Sequence, residues 1–225
     1  MGKSDGAKTL VRRLLKIAGT TYAEEAGIRL DDKPMPLFQL LVLCMLASKP
    51  IDATIATRAA RELFKAGLRT PEAVLAADRR TMISAFGRAH YVRYDESSTD
   101  RLTDMAQRVS DEYFGDLREI AESSHHDVAQ ARRMIKKFKG IGDTGADIYL
   151  REIQDSWTWV RPYFDERATV AAKKLGLPTE PATLGTLSPR SNARLAAALV
   201  RVSLDDDLRQ QVLGDSRTSG LGRRE

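Results

Sequence analysis

A single cysteine, three histidines and no apolar run long enough for a bilayer set the first limits on this chain of 225 residues. Cys44 lies inside an apolar stretch, which marks it as a core residue, and one thiol cannot build an intrachain disulfide framework. Nor can it supply a four-cysteine metal cluster. His90, His125 and His126 have no cysteines around them, which argues against a zinc site. His125, His126 and Asp127 are adjacent in sequence and read as a helix cap rather than as ligands to one ion. The longest apolar run, 37–47, broken only by Gln39, falls short of the ~20 residues a membrane span needs. The first eight positions are polar and lack a signal-like apolar segment, so a cytoplasmic location is expected. Runs of alternating apolar and polar residues between turn signals are missing, and so are repeats of solenoid period. The expected fold class is therefore all-α.

What is present suits a globular protein: 42% hydrophobic residues, 6% aromatic, a formal charge of +5 and a pI near 9.4. The basic balance is compatible with nucleic acid without demanding it. Helical spacing of apolar residues begins at Leu10, with 1–7 read as loose. It resumes over 22–26 and again over 37–47, where Pro36 fits a first-turn position. The run 37–47 is apolar on nearly every side and reads as a buried central helix. Asp52, Thr70 and Asp78 stand where caps belong before helices 53–66, 71 onward and 79–86. Residues 88–95 form an aromatic and basic loop, and 97–113 a long amphipathic helix. A helical turn follows over 117–122. After a loop over 178–187, further helices are expected from Ser188 or Ser191 and over 204–213.

The most informative stretch runs from Phe138 to Leu177. A helix over 128–137 leads into Phe138-Lys139-Gly140-Ile141-Gly142-Asp143-Thr144-Gly145-Ala146-Asp147-Ile148, with a second helix starting and capped near Asp143 or Thr144. Glycines in such a turn permit positive φ and close backbone approach. N–H groups at the second helix's start make an anion site suited to phosphate. Downstream, Asp165 precedes a helix ending in Lys173-Lys174-Leu175-Gly176-Leu177. Gly-Ile-Gly-x-x-x-Ala-x-x-Ile, then an aspartate, then that helix, in this order, resembles the endonuclease III-like superfamily of helix-hairpin-helix DNA glycosylases. The resemblance covers most of the chain and implies two helical subdomains with a cleft between them. A barrel-like domain would span 37–145 and end in the helix-hairpin-helix, with 128–155 crossing the junction. Residues 1–36 and 146–215 would form a domain from both chain ends, and 216–225 a flexible tail.

The resemblance also assigns roles. Asp165 would be the catalytic carboxylate, stabilising an oxocarbenium-like sugar and orienting water; its plainer role is a helix N-cap. Thr144 occupies the position where bifunctional relatives carry a Schiff-base lysine, which points to a monofunctional enzyme without strong lyase activity; it also reads as a cap. Lys139, Gly140, Ile141, Gly142 and Gly145 would form the phosphate-binding hairpin, largely through backbone. Lys139 replaces a common proline and Gly145 a common threonine, and Asp143 adds a negative charge beside the proposed phosphate. Lys49 stands where many relatives insert glutamine into DNA, and Arg93 would also contact DNA. Tyr91, Trp157 and Trp159 are candidates for the base pocket by stacking, although tryptophans also serve as core anchors.

The implied function is a monofunctional base-excision glycosylase that flips a damaged or mispaired base from double-stranded DNA. Three alternatives stand beside it: a non-catalytic helix-hairpin-helix DNA-binding protein, a glycosylase/lyase using a different lysine, and a helical protein with no DNA role. No iron–sulfur cluster or other cofactor is expected, leaving at most a monovalent cation at the hairpin. The chain is expected to be a monomer, nucleoid-associated and without a membrane partner.

Overall fold

The computed structural model describes residues 3–214, and among these there are fourteen α-helices and no strand. In chain order they are α1 (Lys3–Ala18), α2 (Tyr22–Glu25), α3 (Pro34–Ala47), α4 (Ala53–Lys65), α5 (Pro71–Ala76), α6 (Arg79–Arg88) and α7 (Asp95–Tyr113). There follow α8 (Glu119–Ser123), α9 (Val128–Ile135), α10 (Asp143–Ile153), α11 (Glu166–Lys174), α12 (Pro181–Gly185), α13 (Asn192–Leu204) and α14 (Asp206–Leu213). A short 3-10 turn covers Thr158–Val160. The fold is all-α. No described helix is long and apolar enough to cross a membrane.

Helix starts follow side-chain chemistry closely. Asp52, Thr70, Asp78, Asp127, Asp165 and Asp205 each accept a hydrogen bond from a backbone N–H two or three residues on, so each satisfies a donor that the first helical turn leaves open. Glu180 does the same for Ala182 and Thr183, with Pro181 at the first position. That cap creates α12 inside the stretch expected to be a loop. α1 begins at Lys3, earlier than the apolar spacing alone indicates, and α3 begins at Pro34 rather than beside Pro36. The tail expected over 216–225 lies outside the described residues.

The chain divides into two compact units, Tyr22–Val160 and a unit assembled from both ends that comprises the described residues up to Thr21 and from Arg161 onward. The divisions fall at 21/22 and 160/161, not at 36/37 and 145/146. The reason is packing: α10 lies on α3, so both belong to the unit spanning 22–160. In that unit α3 is the axis, with every residue from Pro36 to Leu46 buried, as its all-round apolar sequence requires. α4 packs on α3 and α6, while α7 packs on α5 and α6. The Ala23 N–H donates to the buried Glu152 Oε2 (2.8 Å), tying α2 to α10.

The unit built from both chain ends centres on α13, where Ala193, Ala196, Ala197 and Ala198 are buried. Small side chains let α1 and α11 approach it closely, and α14 covers α1. Long-range side-chain hydrogen bonds stitch the two chain ends together: Arg13 to the Val212 carbonyl (3.0 Å), Arg194 to that of Gly19 (2.9 Å) and Arg201 to that of Thr20 (3.0 Å).

Candidate nucleic-acid interface and candidate catalytic carboxylate

The hairpin forms from α9, a turn over 136–142, and α10. Phe138 and Ile141 turn inward, with Phe138 stacked on Tyr113 at a centroid distance of 5.6 Å. These two anchors fix the turn and leave Gly142, Asp143 and Thr144 exposed. Gly140 has φ of +92°, a left-handed conformation that favours glycine, and a Cβ there would press to 2.8 Å from Arg101 Cδ. Gly142 is the N-cap of α10, with no side-chain cap on the helix and open space around it. Neither Asp143 nor Thr144 caps the helix, since both lie inside its first turn. The first-turn N–H groups of α10 therefore lack a side-chain acceptor from their N-cap, the condition under which a helix start attracts an anion.

Gly145 has a different part from the one assigned to it. It is buried, and a Cβ there would collide with Ser48 Oγ and come within 2.9 Å of Ile141 Cγ2. Its lack of a side chain lets α10 close against the end of α3, where a larger side chain would not fit. The same packing brings Lys49 beside the hairpin.

Three cations gather on this face. Lys49 Nζ lies 5.2 Å from the centroid of the Tyr94 ring and the Arg93 guanidinium 5.3 Å from it. Arg101, one and a half turns into α7, reaches from Gly140 towards Lys49. Partial burial, and then the charge of Arg101, hold the Lys49 ammonium below the usual lysine range. None of the three has a carboxylate partner among the described residues. Tyr94, half-buried, offers the aromatic surface.

Other cations near the turn are already paired. Lys139 Nζ meets Asp104 (2.8 Å), which ties the turn to α7. Arg108 pairs with Glu112 (2.9 Å) and lies over Phe138. Lys136 Nζ (2.5 Å) and Arg132 Nη2 (3.0 Å) both meet Asp143 Oδ1, and Arg132 Nε also meets Asp147 (2.7 Å). The negative charge that Asp143 brings to the turn is therefore compensated locally. A shallow groove of about 320 Å³ between α7 and the turn is lined by these same paired groups, among them Asp104, Arg108, Glu112 and Lys139.

The aromatic candidates separate by burial. Tyr91 is fully buried, its hydroxyl donating to the Leu46 carbonyl (3.3 Å) and accepting from Ser98 (3.4 Å). It is a core residue and cannot stack on a base. Trp157 is also core: its Nε1 donates to Asp32 (2.8 Å) and its ring packs on Tyr149. Trp159 is half-exposed, stacked on Trp157 at 5.3 Å with His126 on it at 5.2 Å. His125 and His126 take positive φ in the turn before α9, and no described group of three His, Cys, Asp or Glu residues is arranged to hold a metal.

Asp165 belongs to the unit built from both chain ends, where it is the N-cap of α11. Its Oδ1 accepts from the Ala168 N–H (2.8 Å), and the side chain remains partly exposed. A cap of this kind fixes one carboxylate oxygen and so orients the group. Arg101 is not among the expected site residues, whereas Tyr94 lies in the aromatic and basic loop 88–95 and is a candidate DNA contact there together with Tyr91 and Arg93.

Comparison with protein families, with curated proteins and with solved structures finds no match to this chain.

Proposed function

We propose that this chain is a monofunctional DNA glycosylase that removes a damaged or mispaired base by hydrolysis of its N-glycosidic bond. The observation that carries the reading is the exposed hairpin turn without a side-chain N-cap, with Lys49 and Arg93 against the Tyr94 ring and Arg101 beside Gly140, none of the three holding a carboxylate among the described residues. Backbone N–H groups and cations position a phosphate without reading sequence. An aromatic ring beside them suits a base that has left the stack. The chemical step falls to Asp165, whose carboxylate stabilises positive charge on the deoxyribose and directs water to C1′ as the base departs. Thr144, exposed in the first turn of α10, has no amine with which to attack the sugar.

The test is a panel of duplexes carrying uracil, alkylpurines, oxidised bases and mismatches, cleaved by wild type and by Asp165→Asn. Asparagine caps a helix about as well as aspartate, so the variant keeps its fold. Release of one class of base should fall by about 10²–10⁴-fold. Binding that survives with no base released from any duplex would leave a non-catalytic DNA-binding protein.

One observation favours a second reading, the lyase: Lys49 is an amine held below the ordinary lysine range on the same surface. Borohydride trapping of the protein on abasic DNA, lost in Lys49→Arg, would select it.

A further inference from the structure

Asp143 is the feature of the hairpin that a phosphate-binding turn would be expected to lack. It stands at the first helical position of α10, where an anion is favoured by the helix dipole. Its carboxylate gathers Lys136 and Arg132, so the turn already holds an anion of its own. The group is two-thirds exposed, and ion pairs at such sites are weak and readily exchanged. Hydrogen bonding to Lys136, with Arg132 beside it, keeps the carboxyl below the usual aspartate range, so it is ionised at neutral pH.

We propose that Asp143 is an affinity-limiting residue of the hairpin, an internal rival of the DNA phosphate that keeps the turn's hold on duplex DNA weak. The proposal rests on the DNA-binding reading above. An incoming phosphate must either accept the nearby negative charge or displace it. Displacement has an unequal effect on the two cations. Arg132 stays with Asp147 through Nε, while Lys136, which has no other carboxylate partner among the described residues, is handed to the phosphate. Intact DNA supplies only this exchange.

The full chain, its Asp143→Asn and Lys136→Gln variants and the double variant are titrated on undamaged duplex between 50 and 200 mM salt. Asp143→Asn should bind about tenfold tighter at 50 mM. Its plot of log K against log salt should steepen by about 0.9, the value for one more phosphate contact, so the gain falls to about threefold at 200 mM. Lys136→Gln should change binding less than twofold in the wild-type background and cancel most of the gain in the Asp143→Asn background. Asp143→Ser, which also removes the charge, should repeat the gain, and thermal unfolding checks that each variant is folded. A gain that survives Lys136→Gln overturns the hand-off. Unchanged or weaker binding by Asp143→Asn, with wild-type binding still salt-dependent and weakened by Arg101→Gln, overturns the rivalry and leaves the DNA reading standing. Wild-type binding that is absent, or indifferent to both salt and Arg101→Gln, removes both.

Discussion

Tyr91 and Tyr94 stand three positions apart in one basic, aromatic stretch, and burial gives them opposite duties. Tyr91 is sealed between Phe86 and the end of α3, with its hydroxyl spent on the Leu46 carbonyl. Tyr94 keeps part of its ring outside, with Lys49 and Arg93 against it. Tyr91→Phe should cost about 1 kcal/mol of stability by loss of one buried hydrogen bond, and should leave DNA affinity unchanged. Tyr94→Ala should leave stability within about 0.5 kcal/mol, while weakening binding to DNA with an unpaired base by about 1–3 kcal/mol, the usual cost of removing a stacking ring. Urea unfolding and fluorescence anisotropy separate the two. Weaker binding in Tyr91→Phe with unchanged stability would mean that the ring assigned to the core is reached by the ligand.

At the scale of elements, the contact between α10 and the end of α3 sets the hairpin in place, and it depends on a missing side chain. Gly145→Thr would drive a branched side chain into Ser48 and Ile141. Overpacking of this kind costs about 1–3 kcal/mol. Because Ser48 precedes Lys49, the same change should weaken DNA binding, and Ser48→Gly should restore part of both losses in the double variant, read by thermal unfolding and by titration. The contact also marks where sequence stops being informative. Caps such as Asp52, Asp127 and Asp165 could be read directly, because the donor and acceptor lie two or three residues apart. Glu180 could have been read the same way, with Pro181 following it, but glutamate is a less usual cap than aspartate. The glycine turn was legible because its geometry is local. The burial of Gly145, the loss of Tyr91 to the core and the arrival of Arg101 beside Gly140 were not, since each is decided by an element far away in the chain.

For the molecule as a whole, the sole thiol is a probe placed at the centre of its larger unit. Cys44 sits in the middle of α3 with no exposed surface, and burial pushes its pKa well up, with the charge of Glu152 acting in the same direction. Reaction with a disulfide reagent needs the thiolate and therefore needs the core around α3 to open. In native buffer, labelling should run at least about 10³-fold slower than in denaturant, and its rate should rise with denaturant in step with loss of helix. Leu40→Ala, one turn earlier on the same fully buried helix, should cost about 2–5 kcal/mol. At the low end of that range labelling accelerates roughly thirtyfold, because 1.4 kcal/mol is a factor of ten. Arg101→Gln and Tyr94→Ala, which act at the surface, should leave the labelling rate near that of wild type. Rapid native labelling would mean that α3 opens without unfolding of its unit. The hairpin would then hang from a helix that does not hold it still, and a turn that cannot keep its N–H groups and Arg101 together has no fixed seat to offer a phosphate.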